Sequence, residues 1–150
     1  MSAPVPGAGP VQPWGALFGR PVCTLRVAAP AAAVLPVLAE ELRRSRLRVR
    51  KDGRSLRVKN RLAVVLNVAQ LLQPAEFFSS PVLTVTVLEE GPAGTALEIG
   101  VRSGSSRHFR FSVPDALNRA VGRLQLGGAA VEVGPWERWA GGRRYPVQQA

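Results

Sequence analysis

The chain has 150 residues, of which 46% are hydrophobic and 20% charged, so it is too apolar to be disordered throughout and long enough to form one domain with its own core. Its one cysteine and one histidine exclude an internal disulfide and a zinc cluster built from these residue types. A formal net charge of +10 favours an anionic partner, which composition alone does not identify.

The amino end is predicted to be a flexible arm. Five of the first ten residues are Gly or Pro, a composition that does not form regular secondary structure. We therefore assign residues 1–19 to the arm and expect the folded domain to begin near residue 20. The large apolar residues Trp14, Leu17 and Phe18 are predicted to dock on the core of the domain or on a partner.

A strand and a helix are predicted after the arm. Residues 22–27 alternate in a way that suits a strand with one buried face, and Cys23 is predicted to be a small buried hydrophobe on it. Within residues 31–44, leucines recur at helical spacing. Pro36 would remove a backbone hydrogen bond from the interior of this helix, so the helix is predicted to kink or to begin there.

Half of the positive charge falls in residues 43–61, which hold ten of the twenty Lys and Arg and one acid. Basic and aliphatic residues alternate on both sides of Asp52 and Gly53, which predicts a β-hairpin with these two residues as its turn. The apolar face of the predicted hairpin consists of Leu47, Val49, Leu56 and Val58.

The opposite face of the predicted hairpin is the candidate site. It places Arg48 opposite Arg57 and Arg46 opposite Lys59, and like charges directly opposite each other destabilise a sheet. The cations either lie in solvent and protect a sheet edge from aggregation, or they form a track for a polyanion. We favour the track, because five cations on one face exceed what edge protection requires. The candidate polyanion-binding residues are Arg46, Arg48, Arg50, Arg57 and Lys59, extended by Arg43, Arg44, Arg54 and Arg61.

The middle of the chain is predicted to continue the sheet. Residues 62–72 stay ambiguous between helix and strand, with helix favoured. Residues 82–89, 95–102 and 107–113 are separated by Gly-rich turns and alternate in character, which predicts three strands of an antiparallel meander.

A final helix is predicted after the meander. Pro114 is expected at its first position, and Gly127 with Gly128 provides the stop signal. Residues 131–133 favour a short edge strand.

Residues 135–150 form a predicted basic, aromatic tail. Its aromatic rings either pack against the domain or serve as stacking platforms and interfacial anchors. The residues of this possible second patch are Trp136, Arg138, Trp139, Arg143, Arg144 and Tyr145.

The sequence carries no recognisable motif for catalysis, metal binding or cofactor binding. His108 falls on a predicted strand, and no sequence motif supplies a nucleophile or an orienting carboxylate for it. The Gly-rich segments join strands and lack the following Lys-Ser or Lys-Thr of a phosphate-binding loop. We therefore predict a protein that is not an enzyme, with no catalytic, metal or cofactor site.

Together these patterns predict a single α+β domain at residues 20–134, with an antiparallel sheet of about five or six strands and two or three helices on one face. The favoured function is binding of a polyanion, nucleic acid first, through the hairpin. The alternatives are a subunit whose basic face meets an acidic protein, and a domain that binds a small apolar ligand. Contact with an anionic membrane surface stays open, and no transmembrane segment is predicted. We expect an intracellular location, cytoplasmic or nuclear, with organellar import as the alternative.

Overall fold

The structure is a computed structural model that describes residues 10–11, 20–60, 83–101, 109–140 and 143–146. Four sequence predictions fall outside these residues. They concern the apolar cluster of the arm, Arg61, the ambiguous segment 62–72 and His108.

Ten elements make up the described chain. They are β1 (Arg20–Val27), α1 (Ala31–Arg44), β2 (Leu47–Asp52), β3 (Ser55–Asn60), β4 (Leu83–Gly91), β5 (Gly94–Val101), α2 (Phe109–Leu126), β6 (Val131–Val133), β7 (Glu137–Ala140) and β8 (Arg143–Pro146).

The strands form one antiparallel sheet in the order β2-β3-β4-β5-β1-β7-β8, and β6 also pairs with β1. Six of the strands, β1 to β6, lie within residues 20–134, the predicted domain. The other two, β7 and β8, lie within the predicted tail and extend the same sheet. The predicted α+β class, a single domain with an antiparallel sheet and helices, is confirmed.

One face of the sheet carries the core. Side chains that alternate along the strands, such as Leu25, Val58, Val85 and Ile99, are fully buried and form one cluster with the apolar residues of both helices. The other face carries threonine, serine and charged side chains, together with the buried Val22 on β1 and Ala96 on β5. We call it the outer face.

The predicted strand around Cys23 is confirmed, and this residue is buried in the core. Its thiol donates a hydrogen bond to the carbonyl oxygen of Gly134 at 3.2 Å. Burial, with a smaller contribution from the charge of Glu137, raises the pKa of Cys23 to about 12. The thiol is therefore protonated at neutral pH.

The first helix begins at Ala31, before Pro36, so this proline is not its start. Pro36 is exposed, and water can therefore reach the carbonyl group that loses its intrahelical partner. A residue of β4 holds the amino end of α1, because the backbone N–H of Ala31 donates to Glu90 Oε2 at 2.6 Å. A carboxylate there also complements the positive end of the helix dipole.

The predicted strand at residues 107–113 is wrong where the structure describes it, because α2 already begins at Phe109 and contains Pro114 in its interior. The alternation of Phe109, Phe111 and Val113 suggested a strand. Val113 instead starts a buried helical stripe, whereas Phe111 is 49% exposed. The stripe continues through Ala116, Leu117, Ala120, Val121 and Leu124.

Neither described helix combines the length and the apolar character needed to cross a bilayer.

Candidate anion-binding surface

The hairpin forms, with a register that differs from the prediction. Asp52 pairs with Ser55, so the two turn residues are Gly53 and Arg54 and not Asp52 and Gly53. Gly53 has a φ of 58°, and a glycine at the first central position is typical of a type II′ turn. The shift is two residues, and because strand side chains alternate with period two, every residue within β2 and β3 keeps its predicted face.

The observed register brings the one acid of the hairpin to its cations. Asp52 lies on the outer face diagonally across from Arg57, and its Oδ2 is 3.0 Å from Arg57 Nε. With Asp52 at the end of β2, the turn leaves its carboxylate free to make this contact. The ion pair partly offsets the repulsion among the neighbouring cations.

Four cations of the hairpin form a compact group on the outer face. Arg48 lies directly opposite Lys59, and Arg50 lies directly opposite Arg57. We call these residues the four-cation array. Directly opposite side chains have Cβ atoms about 5 Å apart, so the array holds like charges at close range. Of the four, only Arg57 has a carboxylate partner among the described residues.

A concavity of about 600 Å³ is lined by the array, by Leu47 and Val49, and by Arg43 from the carboxyl end of α1. Arg43 Nη2 donates to the carbonyl oxygen of Val49 at 3.4 Å, so its guanidinium lies along the edge of β2. The concavity is therefore lined by five cations and a narrow apolar strip.

The other predicted cations lie elsewhere. Arg46 sits in the turn between α1 and β2 with a φ of 63°, and not on the strand face opposite Lys59. Arg44 pairs with Glu40 at 3.2 Å and with Glu41 at 3.4 Å. Arg54, at the tip of the hairpin, lies 3.8 Å from Glu90.

Glu41 is a supporting residue that the sequence predictions did not include. It is 1% exposed between the two helices, with Oε2 3.0 Å from Arg119 Nε and Oε1 2.9 Å from Arg123 Nη1. Burial alone would raise the pKa of Glu41, but the hydrogen bonds from the two arginines outweigh it and hold the pKa below its ordinary value. The signal in the sequence was the position of Glu41 on the same helical stripe as Val34 and Leu38.

The possible second patch is separated from the array. Trp136 is 5% exposed and belongs to the core, so its ring is not presented to a ligand. The other five residues lie on β7 and β8, at the edge of the sheet opposite β2. Their side chains are outside the described part of the chain.

Among the described residues, no group of three or more His, Cys, Asp or Glu is placed to hold a metal ion. No protein-family model, curated protein or solved structure matches the chain significantly.

Proposed function

We propose that this protein is a non-enzymatic module that binds a polyanion, with nucleic acid favoured, through the four-cation array and Arg43. The observation that carries the proposal is the direct opposition of Arg48 to Lys59 and of Arg50 to Arg57, with one acid beside them. Like charges in this arrangement destabilise the sheet without a ligand. A bound polyanion replaces this repulsion with attraction, and the release of its counterions adds to the affinity.

Protection of a sheet edge accounts for only part of the array. Arg48 and Arg50 are on β2, the last strand of the described sheet, where cations discourage pairing with other chains. Arg57 and Lys59 are on β3, which pairs with β2 on one side and with β4 on the other. An interior strand needs no such protection, so its two cations favour a ligand.

A salt titration tests the proposal. Five phosphate contacts to a single strand predict a slope of about −3 to −4 when log affinity is plotted against log salt concentration. The triple variant R48E/R50E/R57E is expected to abolish binding of nucleic acid and to flatten this slope. Affinity that stays unchanged in a folded triple variant would overturn the proposal.

The matched control is Arg26, an exposed arginine on the outer face of β1, far along the sheet from the hairpin. R50Q and R26Q remove the same charge from the same face. R50Q should weaken binding by about one phosphate contact, whereas R26Q should leave the salt slope unchanged. Equal effects of the two variants would indicate a general effect of net charge and count against a defined surface.

An acidic protein segment is the second candidate partner. The concavity extends round the edge of β2, where Arg43 contacts the backbone, and an extended acidic chain could use both the cations and that edge. Purification with a stoichiometric protein partner, and no retention on nucleic acid at about 150 mM salt, would favour this candidate.

Binding of a small apolar ligand stays a prediction. The residues of α2 that face the sheet are buried in the core, and the concavity described above lies elsewhere.

A further inference from the structure

The hairpin does not project from the sheet. Ser55 and Val58 of β3 pair with Thr86 and Leu83 of β4, and the carbonyl oxygen of Arg54 at the tip accepts from the backbone N–H of Val87 at 3.2 Å. A β-ribbon that reads duplex DNA needs to enter a major groove about 12 Å wide. The four adjacent strands β2 to β5 are already wider than this, at about 4.8 Å between neighbours.

On the outer face, one row of residues leads from the array across the sheet. The register aligns Arg50, Arg57, Thr84 and Gly100 in one row across β2, β3, β4 and β5. Thr84 is partly buried, with its hydroxyl 3.5 Å from the carbonyl oxygen of Gly100, and Gly100 has no side chain that would stand in the way. We call this alignment the basic row.

The neighbouring row has the opposite character. It runs from Asp52 through Ser55 and Thr86 to Glu98, with an acid at each end. A phosphate chain that leaves the array is therefore repelled from this row and accommodated along the basic row. The charge pattern gives the ligand a path as well as an attachment point.

Resting on the proposed function, we infer that the polyanion is a single-stranded nucleic acid that crosses the outer face along the basic row. The array and Arg43 hold its phosphates, and the Thr84 hydroxyl turns from the carbonyl oxygen of Gly100 to donate to a phosphate or sugar oxygen beyond them. The path from β2 to β5 covers three strand spacings, about 14 Å, or about four phosphates at the spacing of a stacked strand. Contacts of this kind fix position and carry little sequence preference.

The test compares a single strand of about 12 nucleotides with a duplex of the same length, each as a fluorescent probe in titrations at fixed salt. The single strand is expected to bind about tenfold more tightly, because a narrow chain can enter the concavity and a duplex presents its phosphates on a convex surface. Equal affinity for the two probes, or preference for the duplex, would overturn the inference and leave the proposed function standing. Binding of neither probe would overturn both.

The path is tested with three glutamate substitutions on the outer face. T84E and G100E place an acid in the basic row, and T86E places one in the neighbouring row. Gly100 can accept a side chain, because a Cβ there would meet only Thr84 Oγ1 at an ordinary contact distance of 3.5 Å. We expect T84E and G100E to weaken single-strand binding about tenfold, and T86E about threefold or less.

Two results of this comparison would contradict the path. A G100E variant that binds like the wild type would confine the strand to the hairpin, and a T86E effect as large as that of T84E would remove the distinction between the rows. Thermal melting of each variant checks that the fold is kept.

Discussion

Arg50 and Arg57 show how a single pair of side chains links stability to function. They face each other across β2 and β3, and Arg57 also contacts Asp52. In the free protein Arg50 therefore raises the free energy of the fold, while in the proposed complex the same charge contributes to binding. Stability and affinity should respond to its replacement in opposite directions.

R50E is expected to stabilise the fold by about 0.5 kcal/mol, because it turns an opposed like-charge pair into an attractive one. The same variant should lose affinity for a polyanion. Chemical denaturation and a binding titration on the same preparation measure the two effects. R26E provides the contrast, since Arg26 lies opposite Glu132 and its reversal creates a like-charge pair that should destabilise. A less stable R50E would contradict this account of the array.

At the scale of elements, the site depends on how α1 is held. Glu90 accepts from its first N–H, and Glu41 near its other end binds arginines of α2. Arg43, which lines the concavity, follows Glu41 closely in the same helix. The contact between the two helices thus fixes the position of a residue that belongs to the ligand surface.

E41Q is expected to lower the free energy of unfolding at pH 7 by about 2 kcal/mol, less than for a fully buried ion pair because the arginine partners are partly exposed. Since folding lowers the pKa of Glu41, its contribution is complete at pH values above the ordinary value of 4.5 and is lost as the pH falls through the folded pKa. Urea denaturation of both proteins across this range should show the difference shrinking in acid.

E40Q is the matched control for this prediction. Glu40 is the adjacent glutamate and forms ion pairs with Arg44 and Arg123, but its side chain is 48% exposed. Its replacement should change stability by less than about 0.5 kcal/mol. Equal effects of E40Q and E41Q would show that burial of Glu41 is not what gives the contact its strength.

At the scale of the whole molecule, the order of the strands decides which basic residues can act together. The array lies on β2 and β3, and Arg143 and Arg144 lie on β8 at the opposite edge. Five strand spacings separate β3 from β8, about 24 Å, which is roughly three Debye lengths at physiological salt. A ligand as short as the basic row does not reach both.

R143E/R144E should therefore change the affinity for a short single strand less than twofold at about 150 mM salt, whereas R48E/R50E, with the same change in net charge, should reduce it strongly. The two double variants are compared in one titration series. A large loss in R143E/R144E would show that β8 contributes to the binding surface, and would extend the proposed path beyond β5.

The outcome at particular residues shows how far the sequence could predict this structure. Alternation placed Arg48, Arg50, Arg57 and Lys59 correctly on one face, because side-chain direction follows the local period of a strand. The turn was misplaced, since the choice between adjacent turn positions also depends on the Asp52–Arg57 ion pair and on the pairing of β3 with β4. The apolar residues between positions 109 and 113 fit the period of a helix as well as that of a strand. In the structure this segment is helical, and Val113 packs in the core.

The sequence by itself determined the α+β class, the existence of the hairpin and the common face of Arg48, Arg50, Arg57 and Lys59, since these follow from periodicity among near neighbours in the chain. Only the tertiary structure decided that Glu41 is buried, that Arg43 joins the array, that Thr84 and Gly100 continue it, and that the carboxyl-terminal cations lie at the far edge. Each of these depends on contacts between residues distant in sequence, which local patterns do not encode.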